Sequence, residues 1–134
     1  PGNLGTMIRT ADAAGFSQVV LGKGTVDLYN DKVIRASQGS IFHIPVLEAD
    51  LSELLPQLKK QHYSVLASAL EDSIPYNTLG PLDKIALIMG NEGAGISSEV
   101  LKLADHRIKI PIYGQAESLN VSIAAGILMY QLRN

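Results

Sequence analysis

Residues 118–132, Ser-Leu-Asn-Val-Ser-Ile-Ala-Ala-Gly-Ile-Leu-Met-Tyr-Gln-Leu, run for fifteen positions without a formal charge and constrain the fold more than any other stretch of the chain. A helix apolar on every side cannot face water. At fifteen residues it is short of the roughly 20 needed to cross a bilayer, so protein must cover it. A chain of 134 residues has a limited core of its own, and part of that helix is expected to pack against a second subunit.

One domain fits this length. Hydrophobic residues make up 46% and charged residues 18%, the balance of a globular chain with much to bury. There is no cysteine, which excludes disulfides and thiolate metal sites. His43, His62 and His106 lie far apart without metal-ligand spacing, so no metal site is expected. No signal peptide or membrane-length apolar run is present, and a soluble, cytoplasmic protein is the expectation. The net charge of −2 argues against a strong nucleic-acid grip by this chain alone, because proteins that neutralise phosphates present basic patches. Lys59-Lys60 and the group Lys102, Arg107 and Lys109 are the only basic clusters, and each reads as a solvated face.

Apolar and polar periodicity predicts alternating helices and strands. Leu4, Met7, Ile8, Ala11 and Ala14 recur at helical spacing before Gly15, with Arg9 off that stripe. Residues 18–21 form a short β-prone run, Asn30 or Asp31 caps a short helix through Arg35, and residues 40–46 read as a second strand stopped near Pro45. Asp50 or Ser52 caps a helix carrying Leu51, Leu54, Leu55 and Leu58, in which Pro56 predicts a kink or a late start. Residues 63–69 are a third strand and 72–83 a loop. Residues 84–89, continuously apolar after Lys84, suit a central strand buried on both faces. A glycine-rich turn follows at 90–95, then a helix from Ser97 or Ser98 through Leu103, a strand at 106–112 and the apolar helix. Such alternation implies a mostly parallel sheet flanked by helices, with ligands beyond the carboxyl ends of its strands.

Gly90-Asn91-Glu92-Gly93-Ala94-Gly95 follows a buried strand, where glycine permits close backbone approach to a ligand, although it is neither a dinucleotide fingerprint nor a phosphate loop. Arg9 stands three residues before Asp12, and an ordinary surface pair is the plain reading of that spacing. Ser118 and Asn120 bracket a helix start, where either could be the N-cap. The five tyrosines are scattered and form no ladder for stacking bases.

Three segments, Asn3-Leu4-Gly5-Thr6-Met7-Ile8-Arg9, Ile88-Met89-Gly90-Asn91-Glu92-Gly93-Ala94-Gly95-Ile96, and Ile110-Pro111-Ile112 with Ser118-Leu119-Asn120-Val121-Ser122, resemble in order and spacing the motifs of the SpoU/TrmH family of RNA ribose methyltransferases, within the SPOUT superfamily. The segment Arg35-Ala36-Ser37-Gln38-Gly39 resembles another recurrent family stretch, with no role assigned.

The resemblance implies an α/β SPOUT-type fold whose C-terminal part is threaded into a deep trefoil knot. It also implies S-adenosylmethionine as cofactor, ribosomal or transfer RNA as substrate, and a homodimer through the final helix. Gly90, Ile110 and Leu119 would offer backbone groups to the cofactor, with Ile112 and the strand end Ala67-Ser68 lining its pocket. The matching arginine, Arg9, acts on the ribose 2′-hydroxyl of the neighbouring subunit's site, either as a base or by stabilising the developing alkoxide. A guanidinium is rarely deprotonated, which makes the second role chemically easier. Asn3 helps to hold that arginine, while Glu92, Ser118 and Asn120 belong to the active-site region. The start at Pro1, directly on the first motif, is expected to mean that residues 1–134 are a catalytic domain lacking an N-terminal strand and an upstream RNA-binding domain. A noncatalytic RNA-binding module on the same fold and a nucleotide-binding oxidoreductase are the other classes compatible with the pattern.

Overall fold

The computed structural model describes residues 2–22, 31–90 and 95–133. Helix α1, Gly2–Ala13, buries Leu4, Ile8 and Ala11, the stripe expected from their spacing. It stops at Gly15, whose positive φ of 84° is cheap only for glycine. A short parallel pair follows, β1 (Val19–Leu21) beside β2 (Val46–Glu48), with α2 (Asp31–Ser37) between them in sequence. Helices α1 and α2 touch where Gly5 has no side chain. A β-carbon there would fall 2.5 Å from the Val33 carbonyl oxygen and 2.6 Å from the Ala36 β-carbon.

The strand expected at residues 40–46 does not form. Gln38 and Gly39 both adopt positive φ, the buried Ser40 donates its hydroxyl to Asp12 Oδ2 at 2.8 Å, and Ser40–Phe42 wind into one 3-10 turn. That long-range bond outweighs the β propensity of Ile41 and Ile44. The strand starts only beyond Pro45, whose carbonyl accepts from the Val19 N–H at 2.9 Å.

Helix α3, Leu51–Lys60, is capped by Asp50, which accepts from the Ser52 N–H at 3.0 Å. It starts at this cap despite Pro56, so the late start is not realised. Strand β3, Ser64–Ser68, lies between β5 (Ile85–Ile88) and β6 (His106–Lys109), and β4 (Ile74–Pro75) flanks β6, all in parallel. The 72–83 segment therefore contains a strand and a 3-10 turn, Tyr76–Thr78, rather than loop alone. The most buried strand is β3, with Val65, Leu66 and Ala67 fully enclosed. Strand β5 adjoins it on one side only among the described residues, and Ile85, Ala86 and Leu87 are half-buried.

Helix α4, Ser98–Leu101, is capped by Ser97 and ends two residues earlier than expected. Helix α5 spans Val121–Leu132. Alternate residues of β3 point to opposite layers: Val65 joins Leu55 of α3, and Leu66 joins Leu128 of α5. Helices thus cover both faces of parallel strands, the α/β arrangement that the alternation predicts.

Candidate active site

The register of the sheet gathers one group of site residues. Ala67 pairs with Ile88, and Ser68 pairs with Ile108, so the carboxyl ends of β3, β5 and β6 finish side by side. Ala67 and Ser68, the turn starting at Gly90, and Ile110 accordingly meet at the one end of the sheet where parallel strands leave a crevice. The Ala69 N–H donates to the Ile108 carbonyl at 3.0 Å, which carries the alignment one residue past the strand. Ala67 is fully buried between β5 and β6, while Ser68, Gly90, Ile110 and Ile112 are half-buried.

Gly90 is required for a reason the sequence did not reveal. A β-carbon there would lie 2.5 Å from the Gly95 carbonyl carbon and 2.7 Å from the Ile96 nitrogen, so the turn closes on its own backbone. Gly95 itself has a φ of 68°. Glu92 lies outside the described residues.

A second group forms where the two ends of the domain meet. Asn120 is the N-cap of α5: its Oδ1 accepts from the Ser122 N–H at 2.9 Å and the Ile123 N–H at 3.3 Å. Its Nδ2 donates to Asn3 Oδ1 at 3.4 Å, joining residues 117 positions apart. Ser118 is exposed and precedes the cap, and Leu119 is exposed beside it. Helix α5 lies along α1, with a β-carbon on Gly126 placed 3.6 Å from Thr10 Cγ2 and Arg133 Nε donating to the Ala14 carbonyl at 3.1 Å.

Arg9 is exposed and makes no hydrogen bond or ion pair among the described residues. The local pair with Asp12 does not form, because that carboxylate faces away, accepting from Ser40 and lying 3.7 Å from His43 Nδ1. Asn3 is bonded to Asn120 rather than to Arg9. Six residues separate Asn3 from Arg9, which on an α-helix means about 9 Å of rise and about 120° of rotation. Within one chain, therefore, Arg9 leaves α1 on a different side from Asn3.

Two features escaped the sequence reading. Asp12 ties α1 to the 3-10 turn, and nothing local signals a bond across 28 residues. Tyr113, counted among scattered tyrosines, is 94% exposed between Ile112 and Ser118. Its position between the two parts of the third motif was the available signal. No group of three His, Asp or Glu residues among those described could hold a metal ion, and no described helix is long and apolar enough to cross a membrane.

Comparison with known proteins gives a consistent set. The SpoU rRNA Methylase family matches residues 1–130. The 23S rRNA (guanosine(2553)-2′-O)-methyltransferase RlmP of Bacillus subtilis is 52% identical over 133 residues, an alignment covering 99% of this chain and 54% of that protein. Among solved structures, an AdoMet-bound rRNA methyltransferase from Sinorhizobium meliloti superposes with a TM-score of 0.91 at 41% identity, covering 99% of this chain and 51% of the other. The SpoU methyltransferase AviRb from Streptomyces viridochromogenes gives 0.91 at 28% identity, covering 98% and 54%. The chain spans about half the length of the relatives it matches here.

Proposed function

Because the chain belongs to the SpoU rRNA Methylase family, we propose that it is the catalytic part of an S-adenosylmethionine-dependent methyltransferase acting on a ribose 2′-hydroxyl of RNA. The observation that carries this reading is the convergence of Ala67, Ser68, Gly90 and Ile110 at the carboxyl ends of three parallel strands, on the chain that also joins Asn3 to Asn120. The strand ends fit the cofactor: main-chain groups at Gly90 and Ile110, with Leu119 from the segment before α5, suit an adenosine, and the strand end Ala67-Ser68 and Ile112 line its pocket. When bound, the cofactor supplies an electrophilic methyl on a sulfonium.

The remaining work is orientation and charge. Asn3 and Asn120 hold the ribose edge. Arg9 stabilises the alkoxide developing on the 2′-oxygen as its proton passes to water, a role that needs no deprotonated guanidinium. Ser118 and Glu92 complete the polar border. The side of α1 on which Arg9 stands favours its serving the site of a neighbouring subunit.

That neighbour would dock on α5. The helix buries Ala125, Leu128 and Met129 against its own domain, yet leaves Ile123 56% and Tyr130 50% exposed, seven residues apart on one face. A homodimer covers such a face. A C-terminal knot is supported by the order of strands: β6, the last in sequence, lies between β3 and β4, and the chain then returns as α5 to pack on α1.

A strand from outside residues 1–134 would complete the sheet. Leu21 of β1 and Leu87 of β5 share one apolar cluster on the α1 side, and Leu51 of α3 reaches the end of β1 at Gly22, yet among the described residues β1 and β5 belong to separate sheets. An inserted parallel strand would unite them. The relatives' additional length leaves room for a basic RNA-binding surface, which a net charge of −2 does not favour on residues 1–134 alone. By likeness to the Bacillus relative the substrate is 23S rRNA.

Calorimetry of the full-length protein with S-adenosylhomocysteine tests the site. One molecule should bind per chain, and Gly90→Ala, which forces the turn off its own backbone, should abolish binding while circular dichroism stays unchanged. Wild-type affinity in that variant would refute the pocket.

A further inference from the structure

We propose that Tyr113 is the surface on which the base of the target nucleotide stacks while its ribose is held at Asn3 and Asn120, an inference that rests on the ribose-methyltransferase reading above. The segment carrying Tyr113 is fixed at both ends. Ile110 packs against the cluster of Leu66, Ile108 and Leu128, and Asn120 caps α5 while bonding to Asn3. Between these anchors every residue from Tyr113 to Asn120 is exposed. A large ring held in water on a segment whose two ends belong to the candidate site has the features of a binding surface.

The other described aromatics are accounted for differently. Phe16 and Tyr76 pack into apolar clusters, and the Tyr63 ring lies 5.5 Å below Lys84 Nζ. Tyr130 is on the α5 face assigned to the dimer. Phe42 is 77% exposed but precedes β2, at the amino end of the strands, whereas Tyr113 follows β6 at the carboxyl end with the rest of the site. Among the described residues, Tyr113 alone combines an open ring with the right end of the sheet.

The chemistry asks for such a ring. Sequence-specific recognition of RNA targets unpaired nucleotides whose bases splay out onto aromatic side chains, and a nucleotide drawn out of its strand in this way forfeits base–base contact. An aromatic platform restores that contact and fixes the glycosidic bond, and through it the ribose. Because every base has a π-face, Tyr113 would hold the nucleotide in place without choosing which base it is.

The test uses the full-length protein and a synthetic 23S rRNA hairpin centred on the guanosine named for the Bacillus relative, with a second hairpin carrying an abasic ribonucleotide at that position. On the intact hairpin, Tyr113→Ala should raise the KM for RNA about tenfold or more. Tyr113→Phe should match wild type, and S-adenosylhomocysteine affinity and dimer mass should be unchanged in both. On the abasic hairpin, wild type and Tyr113→Ala should become equal, because no base remains to stack. An unchanged KM for Tyr113→Ala overturns the proposal, and so does a defect that persists on abasic RNA, since the ring would then act on something other than the base. Absence of methyl transfer to any RNA by the wild-type protein overturns the underlying reading, and this one with it.

Discussion

Replacing Asn120 separates its two tasks. Its Oδ1 satisfies two backbone N–H groups at the start of α5, those of Ser122 and Ile123, and its Nδ2 reaches Asn3 at 3.4 Å. Loss of an N-cap to alanine costs about 1 kcal/mol. The bond to Asn3 is long and exposed and adds about 0.5 kcal/mol at the low end of the usual range. Asn120→Ala should therefore lower the unfolding free energy by about 1.5 kcal/mol, a fall in Tm of about 5 °C for a cooperative unit of this size. Asn120→Asp keeps the acceptor, gains from the positive end of the helix, and loses only the donor, so its Tm should stay near wild type. Both variants should lose methyl transfer, because Asn3 is released in each. Thermal denaturation by circular dichroism beside a methylation assay reads the two effects separately. A wild-type Tm for Asn120→Ala would refute the cap, and wild-type turnover for Asn120→Asp would refute the importance of the link to Asn3.

The other expectations address packing, catalysis and assembly. Gly5→Ala drives a β-carbon into the Val33 carbonyl and the Ala36 side chain, and should cost about 2 kcal/mol in chemical denaturation as α1 and α2 are forced apart. Arg9→Ala should leave stability and S-adenosylhomocysteine affinity unchanged while methyl transfer collapses, since this exposed side chain makes no hydrogen bond or ion pair among the described residues. Arg9→Lys should recover only part of the rate, because it keeps the charge and loses the planar fork. Ile123→Glu places a carboxylate on the open face of α5 and should convert dimers to folded monomers in light scattering, with activity lost. Restored activity when Arg9→Ala and Gly90→Ala subunits are mixed would demonstrate that the site is shared.

Elements decided by near neighbours in sequence were legible, and those decided by distant ones were not. The apolar spacing of α1 and the caps at Asp50 and Ser97 could be read directly, because each depends on residues within a turn or two. Residues 40–46 misled because Ile41, Phe42, Ile44 and Val46 are strand formers. Their conformation is set by the left-handed Gly39 and by a hydroxyl bonded to Asp12 across 28 residues. An apolar run such as 85–88 identifies a strand but not which strands lie beside it, so β3 rather than β5 emerged as the most buried. At the site the same division holds. The glycine turn could be read as a candidate ligand loop, whereas its self-contact at Gly90 could not. Asn120 could be read as one of two possible caps, while its bond to Asn3 required the fold. That Arg9 has no ion pair among the described residues was hidden, because only the fold shows Asp12 engaged by Ser40 and His43.

The central claim is transfer of a methyl group to a ribose oxygen. It is tested most directly by incubating full-length protein and unmodified ribosomal RNA with methyl-labelled S-adenosylmethionine, then digesting the RNA and analysing it by mass spectrometry. The reading predicts label in a single 2′-O-methylated nucleoside whose 3′ linkage resists alkali, because the oxygen that would attack the phosphate is blocked. Label on a base, or RNA that stays unlabelled while S-adenosylhomocysteine binds normally, would contradict it.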